Sequence, residues 1–274
     1  MAPDLAAEAD ARLAVALPIV EAAGALALAE FRRPLAVENK RKGSGFDPVT
    51  AADRAVEAAI RAELGRAYPD SPIQGEEAGL TPGTSDWSWI IDPIDGTRAF
   101  ISGVPAWGVL LGLLHAGGPV AGIMRQPYLD ETFIGSPSGA FLRRGGAKSQ
   151  LRSSGQTDLS EAILYCTHPS MFVTEADRAG FAHVSAAVRM TRFGGDCYSY
   201  CLLAMGFVDL VIEGDLQPYD ILPLVPIVEA SGGRITAPDG SPPLAGGTVI
   251  AAATPALHAH ALTLMRGNGP DASP

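Results

Sequence analysis

The chain is short of several things, and each shortage removes a class of function. Only three of its 274 residues are cysteine. An odd, small number rules out a disulfide-stapled scaffold. Cys197 and Cys201 fall one helical turn apart, but no second pair and no nearby histidine completes a zinc site. Reduced, buried thiols and a reducing cytoplasm are the expectation. Basic residues are few as well: 20 Lys and Arg stand against 30 Asp and Glu, a net charge of -10. A nucleic-acid footprint needs clustered cations, and the single basic cluster is Lys40-Arg41-Lys42, readable as a solvated loop or as part of a site. No stretch reaches the roughly 18 apolar residues of a membrane helix; the longest run, 104–114, is interrupted by Gly108 and Gly112. The N-terminus is acidic and Ala-rich, without the basic-then-apolar order of a signal peptide.

What is present is core material. Hydrophobic residues make up 47% and charged residues 18%, enough for one large domain or two small ones. Residues 4–33 read as an Ala-rich helix and 38–48 as a polar loop. Thr50 then caps a helix with Asp53 at the capping-box position, and Val56, Ile60 and Leu64 give that helix one apolar face. Residues 69–79 punctuate the chain. Residues 89–91 are predicted as a buried strand running into Asp92. Strands at 107–114, 120–125, 131–135 and 140–144, separated by turn residues, predict an antiparallel sheet. The second half alternates: strands at 162–166, 188–192, 208–212 and 248–252, helices at 196–205, 219–230 and 255–265. In the helix at 219–230, Pro223 falls in the first turn, where a lost donor matters little, and Pro226 should distort it. The fold class is α/β. Two tightly joined halves are predicted, 1–145 and 146–266, with a disordered tail at 267–274.

The chemistry concentrates at Ile90-Ile91-Asp92-Pro93-Ile94-Asp95-Gly96-Thr97. Two acids lie three residues apart at the end of a buried strand. Pro93 holds a turn, Gly96 permits close approach of a ligand, and Thr97 opens a helical turn whose amides suit an anion. Two carboxylates about 4 Å apart repel by roughly 4 kcal/mol at an effective dielectric of 20, so such a cluster calls for hard divalent cations. An Asp-x-x-Asp pair alone can equally be an acidic turn. Here it has company: Glu76 and Glu77 after Gly75, Asp53 in Asp47-Pro48-Val49-Thr50-Ala51-Ala52-Asp53, and Asp220 in Gln217-Pro218-Tyr219-Asp220. None of the five histidines falls in these segments.

Together these motifs resemble the inositol monophosphatase family of lithium-sensitive, magnesium-dependent phosphatases, over roughly residues 40–255. The resemblance implies a layered αβαβα sandwich and a homodimer. It also implies two to three magnesium ions. Glu76, Asp92 and the carbonyl of Ile94 would hold the first ion and Asp92, Asp95 and Asp220 the second; a third, weaker one would rest on Glu76. Thr97 and Asp53, with Glu76, would be catalytic by orienting the attacking water, and the amides of Gly96 and Thr97 would hold the phosphate.

Within the family, Gly96 to Pro105, Gly195-Asp196-Cys197-Tyr198 and Pro218-Tyr219-Asp220-Ile221 resemble the histidinol-phosphatase branch. Tyr219 departs from the Trp of the inositol enzymes. An acid at Asp196, where inositol phosphatases usually carry a small residue, together with Glu213 suits a cationic ligand such as L-histidinol phosphate. Asp196 can also simply cap the following helix. Gly195 and Arg192 complete the expected substrate set. The rivals are an inositol-1-phosphate or broad metabolite phosphatase and, since some bacterial members also bind the transcription machinery, a binding partner of that kind. Neither a nucleic acid nor a membrane is an expected partner.

Overall fold

A computed structural model describes residues 3–34, 36–39 and 48–267. Asp47, the Lys40-Arg41-Lys42 cluster and residues 268–274 lie outside the described residues. Helix α1 (Pro3–Glu30) is followed by a two-residue antiparallel pair, β1 (Glu38–Asn39) with β2 (Pro48–Val49), and by α2 (Ala51–Ala67). Next come β3 (Ile73–Gly75), β4 (Gly79–Thr81), β5 (Trp87–Asp95), α3 (Thr97–Ser102), β6 (Gly108–His115), β7 (Gly118–Gln126), β8 (Glu131–Ser136), β9 (Gly139–Arg144) and β10 (Ala147–Gln150). The second half holds β11 (Ile163–Cys166), α4 (Glu175–Ala187), β12 (Met190–Phe193), α5 (Tyr198–Ala204) and β13 (Leu210–Leu216). After these stand α6 (Pro218–Ile221), α7 (Val225–Ala230), β14 (Arg234–Thr236), β15 (Gly247–Ala252) and α8 (Pro255–Met265).

Eight strands form the first sheet in the order β10-β9-β8-β7-β6-β5-β3-β4, and five form the second in the order β12-β11-β13-β15-β14. The first sheet is antiparallel as the turn spacing predicts, except that β3 runs parallel to β5. It extends through β10, past residue 145. Strands β5 and β6 are apolar on both faces because both faces are covered. Trp89, Ile91, Leu111 and Leu113 pack with α1 and α2, while Ile90, Leu110 and Leu114 pack with α5, α6 and α7. The far face of the second sheet packs on α4 and α8 through Leu164, Ile212, Phe181 and Leu257. The layers therefore run helix, sheet, helix, sheet, helix, as the αβαβα expectation has it.

Three expectations are corrected. By length and composition, residues Asp4–Glu30 are long and apolar enough to cross a membrane. Ala9, Leu13, Ala16, Val20, Ala23 and Ala27 recur at helical spacing and are buried in the cluster shared with α2 and the first sheet, so one face of α1 serves the core, while Val15, Leu26 and Leu28 are exposed. The single helix at 219–230 is two: Pro223 sits in the break between α6 and α7, and Pro226 in the first turn of α7, where a missing donor is harmless. The helix at 196–205 begins only at Tyr198, because Asp196 stands at φ +44.

Candidate active site

The end of β5 is built to present acids. Asp92 pairs with Leu110 of β6 and Asp95 with Gly108, so three steps on β5 oppose two on β6. Such a bulge re-aims side chains, and it is a place where Pro93 forfeits no ladder bond. Asp92 Oδ1 accepts the Ile94 amide at 3.1 Å, and the Thr97 hydroxyl donates to the Ile94 carbonyl at 3.0 Å. Gly96 takes φ +79. A Cβ there would stand 3.1 Å from Asp196 Cβ and 3.2 Å from the Trp107 backbone. The close approach that the glycine allows is thus made by Asp196 of the second half, and no side chain caps α3.

Asp220 arrives from α6. Its Oδ2 accepts the Gln217 amide at 2.7 Å, the return arm of a capping box. Asp92, Asp95 and Asp220 can each offer an oxygen such that all three lie within 4.8 Å of one another. Burial pushes Asp92 and Asp220 well above the ordinary carboxylate range, and repulsion within the group formed with Glu76 and Asp95 adds to it. Asp95 is pushed up to about 6 by burial, against the hydrogen bonds it accepts from the Cys197 thiol and amide and from the Gly96 amide. One of the two amides expected to hold phosphate is therefore engaged by Asp95.

Glu76 lies in the loop joining β3 to β4, its amide donating to the Ile91 carbonyl at 3.2 Å. Its charge raises Asp92, Asp95 and Asp220 alike. This crowded, oxygen-only set fits a hard divalent cation. Asp53 is buried, with Oδ2 accepting from the Thr50 amide at 2.7 Å and the Thr50 hydroxyl at 2.6 Å, the predicted capping box.

The second cluster is wired differently. Glu213 is buried on β13; its Oε1 accepts the Thr167 amide at 3.1 Å and hydroxyl at 2.6 Å, and its Oε2 accepts the Tyr200 hydroxyl at 3.4 Å. The Asp196 amide donates to the same Thr167 hydroxyl oxygen at 3.1 Å. Thr167 thus joins the two acids. Burial raises Glu213 to about 8 and Asp196 to about 7. Asp95 repels Asp196, and Arg98 pulls it back down. Asp196 does not cap α5: the cap position is Cys197, without a side-chain bond. Gly195 is buried in this turn, whereas Arg192 is exposed on β12.

Sequence reasoning missed Thr167, Cys197, Tyr200 and the field of Arg98. Only Cys197 and Arg98 lay inside stretches already singled out. All three cysteines are buried and free.

The inositol monophosphatase family model matches residues 8–268. The chain is 40% identical over 231 residues to the bifunctional phosphatase IMPL2, chloroplastic, of Arabidopsis thaliana, covering 84% of this chain and 65% of that protein. It thus spans just under two thirds of that relative's length. It is 37% identical to the histidinol-phosphatase of Mycobacterium tuberculosis, over 74% of this chain and 79% of the relative. In structure it matches an inositol monophosphatase from Zymomonas mobilis with a TM-score of 0.82 at 35% identity, covering 93% and 98% of the two chains.

Proposed function

The chain belongs to the inositol monophosphatase family, and we propose that it is a magnesium-dependent phosphatase hydrolysing L-histidinol phosphate to L-histidinol and phosphate, in histidine biosynthesis. The observation that carries the phosphatase reading is the convergence of Asp92, Asp95 and Asp220 within 4.8 Å, with Glu76 beside them. Glu76, Asp92 and the Ile94 carbonyl are assigned to one ion and Asp92, Asp95 and Asp220 to a second, with a third on Glu76. The Ile94 oxygen already accepts the Thr97 hydroxyl and keeps a second lone pair for a cation. When bound, magnesium supplies Lewis acidity, neutralises phosphate charge and activates water near neutral pH.

The chain's own residues do the positioning. Thr97, held on the Ile94 carbonyl, and Asp53, fixed by Thr50, orient the attacking water together with Glu76. The amides of Gly96 and Thr97 are assigned to the phosphate, the former shared with Asp95. The leaving alcohol faces Asp196 and Glu213, with Gly195 in the turn between β12 and α5 and Arg192 exposed on the strand leading into it.

The histidinol assignment rests on those two acids. Burial holds both above the ordinary range, and a protonated amine would supply the charge that favours their ionised forms. The named activity of the M. tuberculosis relative agrees. An inositol-1-phosphate or broad phosphatase is the second reading, favoured by one observation: an acid at about 8 can bind a hydroxyl while neutral. The proposal extends to a cytoplasmic homodimer with neither nucleic acid nor membrane as partner; stoichiometric recovery of RNA polymerase from extract would favour a binding role instead.

Phosphate release across histidinol phosphate, inositol 1-phosphate, a sugar phosphate and a nucleotide 3'-phosphate, with and without chelator, tests the reading. Release is expected to be fastest from histidinol phosphate and to stop on chelation. Release that survives chelation, or no release from any ester, overturns it.

A further inference from the structure

Glu57 is a carboxylate that the reaction leaves unused, and it is almost wholly buried on α2. Its two oxygens are committed to one short segment. Oε2 accepts the Glu77 amide at 2.7 Å, and Oε1 accepts the Ala78 amide at 3.0 Å together with Arg61 Nε at 2.7 Å. Arg61, one turn on along α2, reaches the same hairpin. It donates to the Ile73 carbonyl at 3.1 Å, to the Thr81 hydroxyl at 2.9 Å and to the Gly79 carbonyl. The pair therefore grips both strands, β3 and β4, and the loop between them. That hairpin ends the first sheet, where β4 is the edge strand and has no neighbour on its outer side among the described residues. Gly75 makes room for the grip: a Cβ there would stand 2.3 Å from Glu57 Oε1.

The loop so held consists of Glu76, Glu77 and Ala78. The charge of Glu76 raises Asp92, Asp95 and Asp220. Left to repulsion alone, an edge loop carrying a carboxylate beside three others would swing outward. Beside the Glu76 amide's bond to the Ile91 carbonyl, a buried ion pair with every oxygen occupied opposes this.

We propose that Glu57, braced by Arg61, is a positioning residue that holds the Glu76 loop against the other acids and so sets metal affinity. The inference rests on the metal-dependent reading above. Supports of metal ligands typically contribute about 10–100-fold in affinity.

The test is isothermal titration of the chelated full chain with magnesium alone, beside melting curves with and without the ion. Wild type, Glu57→Gln and Arg61→Lys are compared. A glutamine retains one acceptor and presents an N–H group where a backbone amide must be received. Glu57→Gln should weaken magnesium binding by about 10–100-fold, and the half-saturating magnesium for phosphate release should rise in step. Arg61→Lys keeps a cation beside Glu57 but cannot fork to three further acceptors; it should shift the same quantities in the same direction by less. If Glu57→Gln melts lower yet binds magnesium as wild type does, the residue supports the fold alone and the proposal fails. Should Glu57→Gln not fold, unchanged magnesium binding in Arg61→Lys overturns it. Failure of wild type to bind magnesium would instead bring down the metal-dependent reading, which separates the two failures.

Discussion

At one end of the site three aspartates bring oxygens within 4.8 Å of one another, and burial and mutual repulsion push Asp92 and Asp220 well above the ordinary carboxylate range. At the other end Glu213 is buried and Asp196 half-buried, and they repel each other, but a hydroxyl stands between them: Thr167 receives the Asp196 amide and donates to Glu213. Both ends are acidic, and both hold protons at pH values where free carboxylates do not. The difference lies in what would relieve them. The first has too many oxygens in too little space for hydrogen-bond donors alone, and it calls for a multiply charged cation. The second is half-satisfied by Thr167 and Tyr200 and needs a single positive charge or a set of donors. Gly96 is where the two meet, with Asp196 packed on it.

Three changes would break or sharpen that contrast. The largest effect is expected at the metal end. Asp92→Asn removes the acid assigned to two ions, and turnover at saturating magnesium should fall by more than about 100-fold, beyond the loss seen on changing a residue that only supports a ligand. Its metal-free melting temperature should hold or rise, since a repelling charge has gone. Near-normal turnover would remove Asp92 from the site. At the pocket end, Thr167→Val cuts the hydroxyl that joins Asp196 to Glu213. Loss of one hydrogen bond to a charged group should lower catalytic efficiency on histidinol phosphate by about tenfold, while half-saturating magnesium stays as in wild type. A matching shift in magnesium dependence would mean that the two ends are one unit.

The third change is in pH. Glu213, at about 8 against an ordinary 4.5, and Asp196, at about 7 against 3.8, keep protons in the folded chain that the unfolded chain has released. Their contribution to stability is fully present below the ordinary values and is lost as pH rises through about 7 and 8. His258, buried beside Thr236 and held down to about 4, acts oppositely below about 6.5, where only the unfolded chain takes up a proton. The melting temperature should therefore rise by about 5 °C between pH 8.5 and 6.5. Magnesium on Asp95 would remove that residue's repulsion of both acids but not their burial, the larger cause, so the rise should shrink yet persist when the ion saturates, and flatten in Glu213→Gln. A rise abolished by magnesium would assign it to the metal end.

The two ends also differ in how far they can be read from the sequence. The run from Asp92 to Thr97 encodes its geometry locally: a proline at the bulge, a glycine at positive φ, a threonine reaching back to the Ile94 carbonyl. Asp220 and the Thr50–Asp53 box are local in the same way. Thr167 has no such mark. It meets Glu213 only because β11 lies parallel beside β13, and partnerships across strands distant in sequence leave no periodic trace. Elsewhere a local signal was present but no element was predicted from it. Thr174 and Asp177 announce α4 by their spacing and do cap it. Residues 69–79 read as punctuation because their short strands β3 and β4 are separated by only three residues. Glu57 and Arg61 stand four apart on α2, the spacing of a helical ion pair, yet nothing in that spacing reveals that the pair grips a hairpin.

The measurement that bears most directly on the central claim is the ratio of kcat/KM for L-histidinol phosphate to that for inositol 1-phosphate, at saturating magnesium, in wild type and in Asp196→Ala. The ratio should stand well above one in wild type. In the variant it should fall by roughly 10–150-fold, the worth of one hydrogen-bonded charged partner, chiefly through loss on histidinol phosphate. A wild-type preference for inositol 1-phosphate, or an equal loss on both substrates, would contradict it.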